Sequence, residues 1–115
     1  MRTLLFHESI YNLDKFIGIE IINNLETTPG HYNVLFRFQG DYQTENTTTE
    51  ETPFSFCMGI GKNTMYNVVD DDDISSAVSE FVNLFNQSLI NEKYKFIDIC
   101  DIRRQAYEEV RNKKK

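Results

Sequence analysis

The stretch His31-Tyr32-Asn33-Val34-Leu35-Phe36-Arg37-Phe38-Gln39 decides the fold. Tyr32, Val34, Phe36 and Phe38 fall on one face, and His31, Asn33, Arg37 and Gln39 on the other. A period of two is that of a strand with one face buried. Upstream, residues 16–23 (FIGIEIIN) are β-branched and alternate around Ile17, Ile19 and Ile21, a second strand. Pro29-Gly30 supplies a turn between the two. Downstream, Phe54, Phe56, Met58 and Ile60 alternate in a third strand. Gly59-Ile60-Gly61-Lys62-Asn63 then reads as a turn, and Met65–Val69 as a fourth strand. The glycine pair lacks the full spacing of a phosphate-binding loop and opens no helix.

Beyond Val69 the period changes. Asp70–Asp73 precede apolar residues at Ile74, Ala77, Val78, Phe81, Val82, Phe85 and Leu89, the spacing of an amphipathic helix over 74–90. An aspartate at its start caps the free N–H groups and suits the helix dipole. Residues 94–99 (YKFIDI) read as a fifth strand, and 101–112 as a second helix opening on Asp101 and ending in basic residues. Residues 1–14 allow either a strand at Thr3–His7 or a helix through Ser9–Asp14. The expectation is an α+β fold, an antiparallel β-meander of four to five strands with two helices packed on one face. Residues 1–112 form a single domain, and 113–115 a basic frayed tail.

Charge is unevenly spread over the 115 residues. Residues 1–101 hold 16 Asp and Glu against 6 Lys and Arg, whereas residues 102–115 hold 6 basic residues against 2 Glu. Such a body repels nucleic acid and anionic membrane and suits a cationic protein surface. Residues 40–52 (GDYQTENTTTEET) contain one apolar residue, Tyr42, and read as a long loop. In a meander this loop and the Asp70–Asp73 run lie at the same end. Asp41, Glu45, Glu50, Glu51, Asp70, Asp71, Asp72 and Asp73 then gather into an acidic head, with Tyr42 as an aromatic anchor. Lys62, Lys93 and the Lys113–Lys115 tail go to the opposite pole. One aspartate suffices for a cap; four side by side repel one another. The head is therefore read as the partner-binding site, entering a basic groove as DNA phosphates would.

No catalytic, cofactor or metal site is expected. Cys57 and Cys100 read as reduced, buried small hydrophobes of a cytosolic protein, with a disulfide between them left open. His7 and His31 read as surface or boundary residues. A Cys–His or Ser–His pair through Ser9, Ser55, Cys57 or Cys100 has no supporting motif. The four aspartates lack the spacing and glycine of a calcium loop. The N-terminal apolar run is too short for a signal peptide, and no stretch spans a bilayer, which points to the cytoplasm of a bacterial host.

Two resemblances bear on function. Ser76, Glu80 and Asn83 fit an S-x-x-x-E-x-x-N pattern on one helix face. This resembles the active helix of CheC/CheX-type phosphatases, where the acid and the amide position water on a phosphorylated response regulator. Lys93-Tyr94-Lys95-Phe96-Ile97-Asp98-Ile99, followed by an amphipathic helix with a Lys-rich end, is similar to the helix–strand–helix end of a phage-encoded inhibitor of type II CRISPR nucleases. The likeness extends loosely over residues 74–115. A basic N-terminal arm is missing, and no functional residue is transferred from it. The resemblance implies an anti-CRISPR inhibitor from a phage or mobile element that mimics DNA or locks a Cas9-type nuclease. A toxin-neutralising immunity protein would share the acidic surface, and oligomeric state is left open.

Overall fold

The computed structural model describes residues 2–23, 31–39 and 53–114. Its fold class is α+β: six strands in two three-stranded sheets, with two helices. The 16–23, 31–39 and 54–60 segments form β3 (Phe16–Asn23), β4 (Tyr32–Phe38) and β5 (Phe54–Ile60), an antiparallel meander in the order β3-β4-β5. A bulge between Phe16 and Gly18 interrupts the β3–β4 register. The meander has three strands rather than four or five.

The N-terminal residues supply a second sheet. β1 (Thr3–Phe6) and β2 (Ser9–Asn12) make an antiparallel hairpin across His7-Glu8, with His7 in the left-handed region at φ 55°. A 3-10 turn at Leu13–Lys15 leads into β3, with the Asn12 side chain accepting from the Asp14 amide. Of the two alternatives for residues 1–14, the strand at Thr3–His7 is found as β1, and Ser9–Asn12 pairs with it as a strand instead of opening a helix. The other neighbour of β1 is β6 (Phe96–Asp98), which runs parallel to it. The strand expected at 94–99 thus keeps three residues. Asp98 ends it by accepting the Cys100 and Asp101 amides, and α2 runs Ile99–Lys113 from that cap. Asp98, not Asp101, opens the second helix.

The strand expected at Met65–Val69 is absent. The Asn63 side chain accepts the Met65 amide and starts a 3-10 turn at Thr64–Tyr66, and Asn67 ends it at φ 56°. A single bridge, Asn63 to Val68, closes the loop. Asparagine side chains that bond nearby amides compete with strand pairing, and asparagine tolerates left-handed backbone. Helix α1 (Asp71–Ile90) follows, three residues earlier than the apolar pattern begins.

The inner face of β4 and β5 is an aromatic floor. Phe36 stacks on Phe56 at 5.1 Å, and Phe38 on Phe54 at 5.1 Å. From α1, Phe81 and Phe85 meet Phe36 edge-on. From the N-terminal hairpin, Tyr11 stacks on Phe56 at 4.4 Å and Phe6 at 5.2 Å. One phenylalanine layer therefore holds both the helix and the second sheet. Cys57 points to the opposite, open face of the meander and is exposed; Cys100 is half-buried; both are free thiols. The expectation that both are buried fails for Cys57 because the inward face of β5 belongs to Phe56 and Met58. Gly59 lies in β5, where a β-carbon would come within 2.7 Å of the His31 ring.

Arg2 closes the far end of α1, whose last turn has no basic residue of its own. Its guanidinium donates to the carbonyls of Ser88, Leu89, Asn91 and Tyr94 at 2.8–3.2 Å. Four carbonyls at a helix C-terminus lack intrahelical partners, and a cation there also suits the dipole. Replacing Arg2 with Ala is expected to destabilise the protein by about 1–2 kcal/mol in urea unfolding. Phe36→Ala, which empties the centre of the floor, is expected to cost roughly 3–5 kcal/mol by the same measurement.

Candidate partner-binding surface

The start of α1 is built by its own aspartates. Asp70 is the N-cap: its side chain accepts the Asp73 amide at 2.8 Å, and the Asp73 carboxylate reaches back to the Asp70 amide. This reciprocal cap uses two of the four acids. Asp73 also accepts the Val69 amide and an ion pair from Lys114 at 2.8 Å. Asp71 and Asp72 are exposed in the first turn and have no ionic partner among the described residues.

Lys114 reaches Asp73 because α2 packs antiparallel to α1. Lys113 pairs with Glu80, and Lys114 also donates to the Asn67 carbonyl. Arg111 lies over the Tyr66 ring at 5.5 Å, and Tyr107 both stacks on Tyr66 and bonds the Gly61 backbone. Lys113 and Lys114 thus stand at the acidic end of α1, not at the opposite pole, and Lys113 is the last helical residue with its ammonium engaged. Lys62, two residues beyond β5, belongs to the same end.

The expected convergence of two acidic stretches lies partly outside the described residues. Asp41, Tyr42, Glu45, Glu50 and Glu51 lie outside the described residues. The strands flanking them end at the paired residues Phe38 and Phe54. Asp70 follows Val68, which is bonded to Asn63 just past Ile60. Asp70 therefore stands near the Ile60 end of β5, about 20 Å along the strand from Phe54 at roughly 3.3 Å per residue. The strand expected over 65–69, which would have carried Asp70 back along the sheet, is replaced by the 3-10 turn.

The remaining constellations are engaged or incomplete. Ser76 and Asn83 are exposed, but the Glu80 carboxylate of the phosphatase-like pattern is held by Lys113. The Cys100 thiol lies 3.9 Å from His7 Nδ1, a proximity with no sequence signal because 93 residues separate them. The α2 amides beside that thiol, which would have to serve an oxyanion, donate to Asp98. Among the described residues no three His, Cys, Asp or Glu side chains cluster to hold a metal, and no helix is long and apolar enough to cross a membrane.

No family model, curated protein or solved structure matches the chain.

The Lys114 ammonium, and next the Val69 amide, hold the Asp73 carboxyl below its ordinary value of 3.8. A lowered folded-state pKa means that the stabilisation is present above the ordinary value and is lost as pH falls through the folded one. In urea unfolding across pH, the stability gap between the native chain and Lys114→Ala is expected to stay constant from neutrality to about pH 4. It should narrow below that. A gap unchanged to pH 2 would remove the ion pair from the account.

Proposed function

We propose that the protein acts by binding a larger protein with a basic surface and has no turnover of its own. The observation supporting this is the exposed pair Asp71 and Asp72. They stand beside a finished cap, outside any ion pair among the described residues, on a chain of net charge −6. Asp70 and Asp73 serve the helix, so their charge is already committed. Charges at the rim of an interface act mainly on association rate and on the choice of partner. The specific form of the proposal comes from the likeness of residues 93–115 to a phage-encoded inhibitor. In that form the chain is a cytoplasmic anti-CRISPR protein, and its partner is a Cas9-type nuclease. Such an enzyme reads a short DNA motif with arginines and holds nucleic acid in positive channels, which an acidic helix start can enter.

The double substitution Asp71→Asn/Asp72→Asn leaves the capping pair intact, so the helix is expected to persist by circular dichroism. Association with a purified Cas9-type nuclease should slow by several-fold at low salt, and its salt dependence should flatten. Unchanged association kinetics in a folded variant would exclude the start of α1 as the contact.

A further inference from the structure

The two edges of the meander are finished differently. Past β5, α2 covers the edge: Arg103 donates to the Gly59 carbonyl, and the Tyr107 hydroxyl bonds both the N–H and the carbonyl of Gly61. β3 is the other edge, and among the described residues its outer side pairs with nothing. It is eight residues long and holds neither lysine nor proline, the residues that ordinarily blunt an edge. Ile17, Ile21 and Ile22 stand 59%, 38% and 37% exposed along it. Its one charge, Glu20, pairs with Arg37 of β4 on the open face of the sheet, and both side chains are about half exposed. Gly18 shares that face, directly opposite Arg37. A β-carbon at Gly18 would meet nothing within 4 Å, and its backbone is not left-handed. The neighbouring bulge does not require it either, because a glycine bulge needs left-handed backbone. A strand glycine with no such cause marks a place where another backbone or ligand comes close.

We infer that β3 is a self-association edge, pairing antiparallel with β3 of a second copy of this chain about a twofold axis at Ile19. Residues paired across antiparallel strands point to the same face, so a twofold register must centre on a residue. Centring on Glu20 sets two like charges directly opposite, which is unfavourable. Centring on Ile21 sets Glu20 against Ile22. Centring on Ile19 sets Glu20 of each copy opposite Gly18 of the other and brings Ile21 towards Ile17. The missing side chain at Gly18 then leaves an open path from Arg37 to Glu20 of the second copy. Two strand spacings, about 10 Å, separate those two backbones, within the combined reach of an arginine and a glutamate. Each guanidinium is thus shared between its own Glu20 and that of the second copy, and the charge on the edge becomes complementary to itself. Backbone hydrogen bonds across the new pair supply the affinity. Each copy carries a net charge of −6, and this repulsion is screened beyond about 8 Å at physiological salt. The edge involves no residue of α1 and stands apart from Asp71 and Asp72.

The test follows the full chain by sedimentation velocity over a concentration series at physiological salt, with amide resonances recorded on the same samples. A monomer–dimer equilibrium is expected, with concentration-dependent shifts at Gly18, Ile19, Glu20 and Ile21. Glu20→Arg, which surrounds Arg37 with like charge, should weaken the dimer roughly tenfold. The exchange Glu20→Arg/Arg37→Glu should restore it. Gly18→Val fills the gap between Arg37 and the second copy and should weaken the dimer while the monomer keeps its circular dichroism, so it carries the test if the charge reversal does not fold. Asp71→Asn/Asp72→Asn should leave the dimer unchanged. A chain that stays monomeric up to millimolar concentration, a dimer equally strong in folded Glu20→Arg or Gly18→Val, no recovery in the charge exchange, or shifts confined to residues outside β3 would each overturn the assignment.

Discussion

The antiparallel packing of α2 on α1 sets the charge layout of the molecule. Because α2 ends where α1 begins, Lys113 and Lys114 meet Glu80 and Asp73 and cancel charge that would otherwise stand in the open. The same packing leaves the far end of α1 without basic residues from α2. Arg2, from the other end of the chain, caps those carbonyls instead. Each end of α1 is thus closed by a cation, and among the described residues Asp71, Asp72 and Lys62 at one end and Glu92, Lys93 and Lys95 at the other stay outside any ion pair. A charged pair on the surface contributes little stability by itself. Here its consequence is to decide which charges a partner can still meet.

That packing rests on the aromatic floor of β4 and β5. Phe36 receives Phe81 and Phe85 from α1, and Phe38, Phe54 and Phe56 meet the Tyr11 ring of the N-terminal hairpin. Neither the hairpin nor β6 has enough residues to stand alone, since short two-stranded units are marginal in water. They are held by what they cover.

The alternation at Tyr32–Phe38 and Phe54–Ile60 and the apolar spacing from Ile74 to Leu89 were legible because each carries a single period over many residues. The rest depended on signals that period cannot carry. His7-Glu8 turns the N-terminal hairpin without the glycine or asparagine that marks such turns. Met65–Val69 has strand composition, yet Asn63 and Asn67 bend it locally. The β1–β6 pairing joins residues more than ninety apart. The acidic head was legible as composition but not as a place. Its location hung on one strand that proved to be a turn, and on a second helix whose direction the sequence did not fix.

The account's central claim is binding without turnover, and a stoichiometric titration tests it most directly. Increasing amounts of the purified chain are mixed with a fixed amount of a Cas9-type nuclease, and DNA cleavage is read after short and long incubations. The account predicts a linear fall in cleavage that ends at a fixed molar ratio and does not change with incubation time. Full cleavage at large excess of the chain, or progressive loss of activity at substoichiometric amounts, would contradict it.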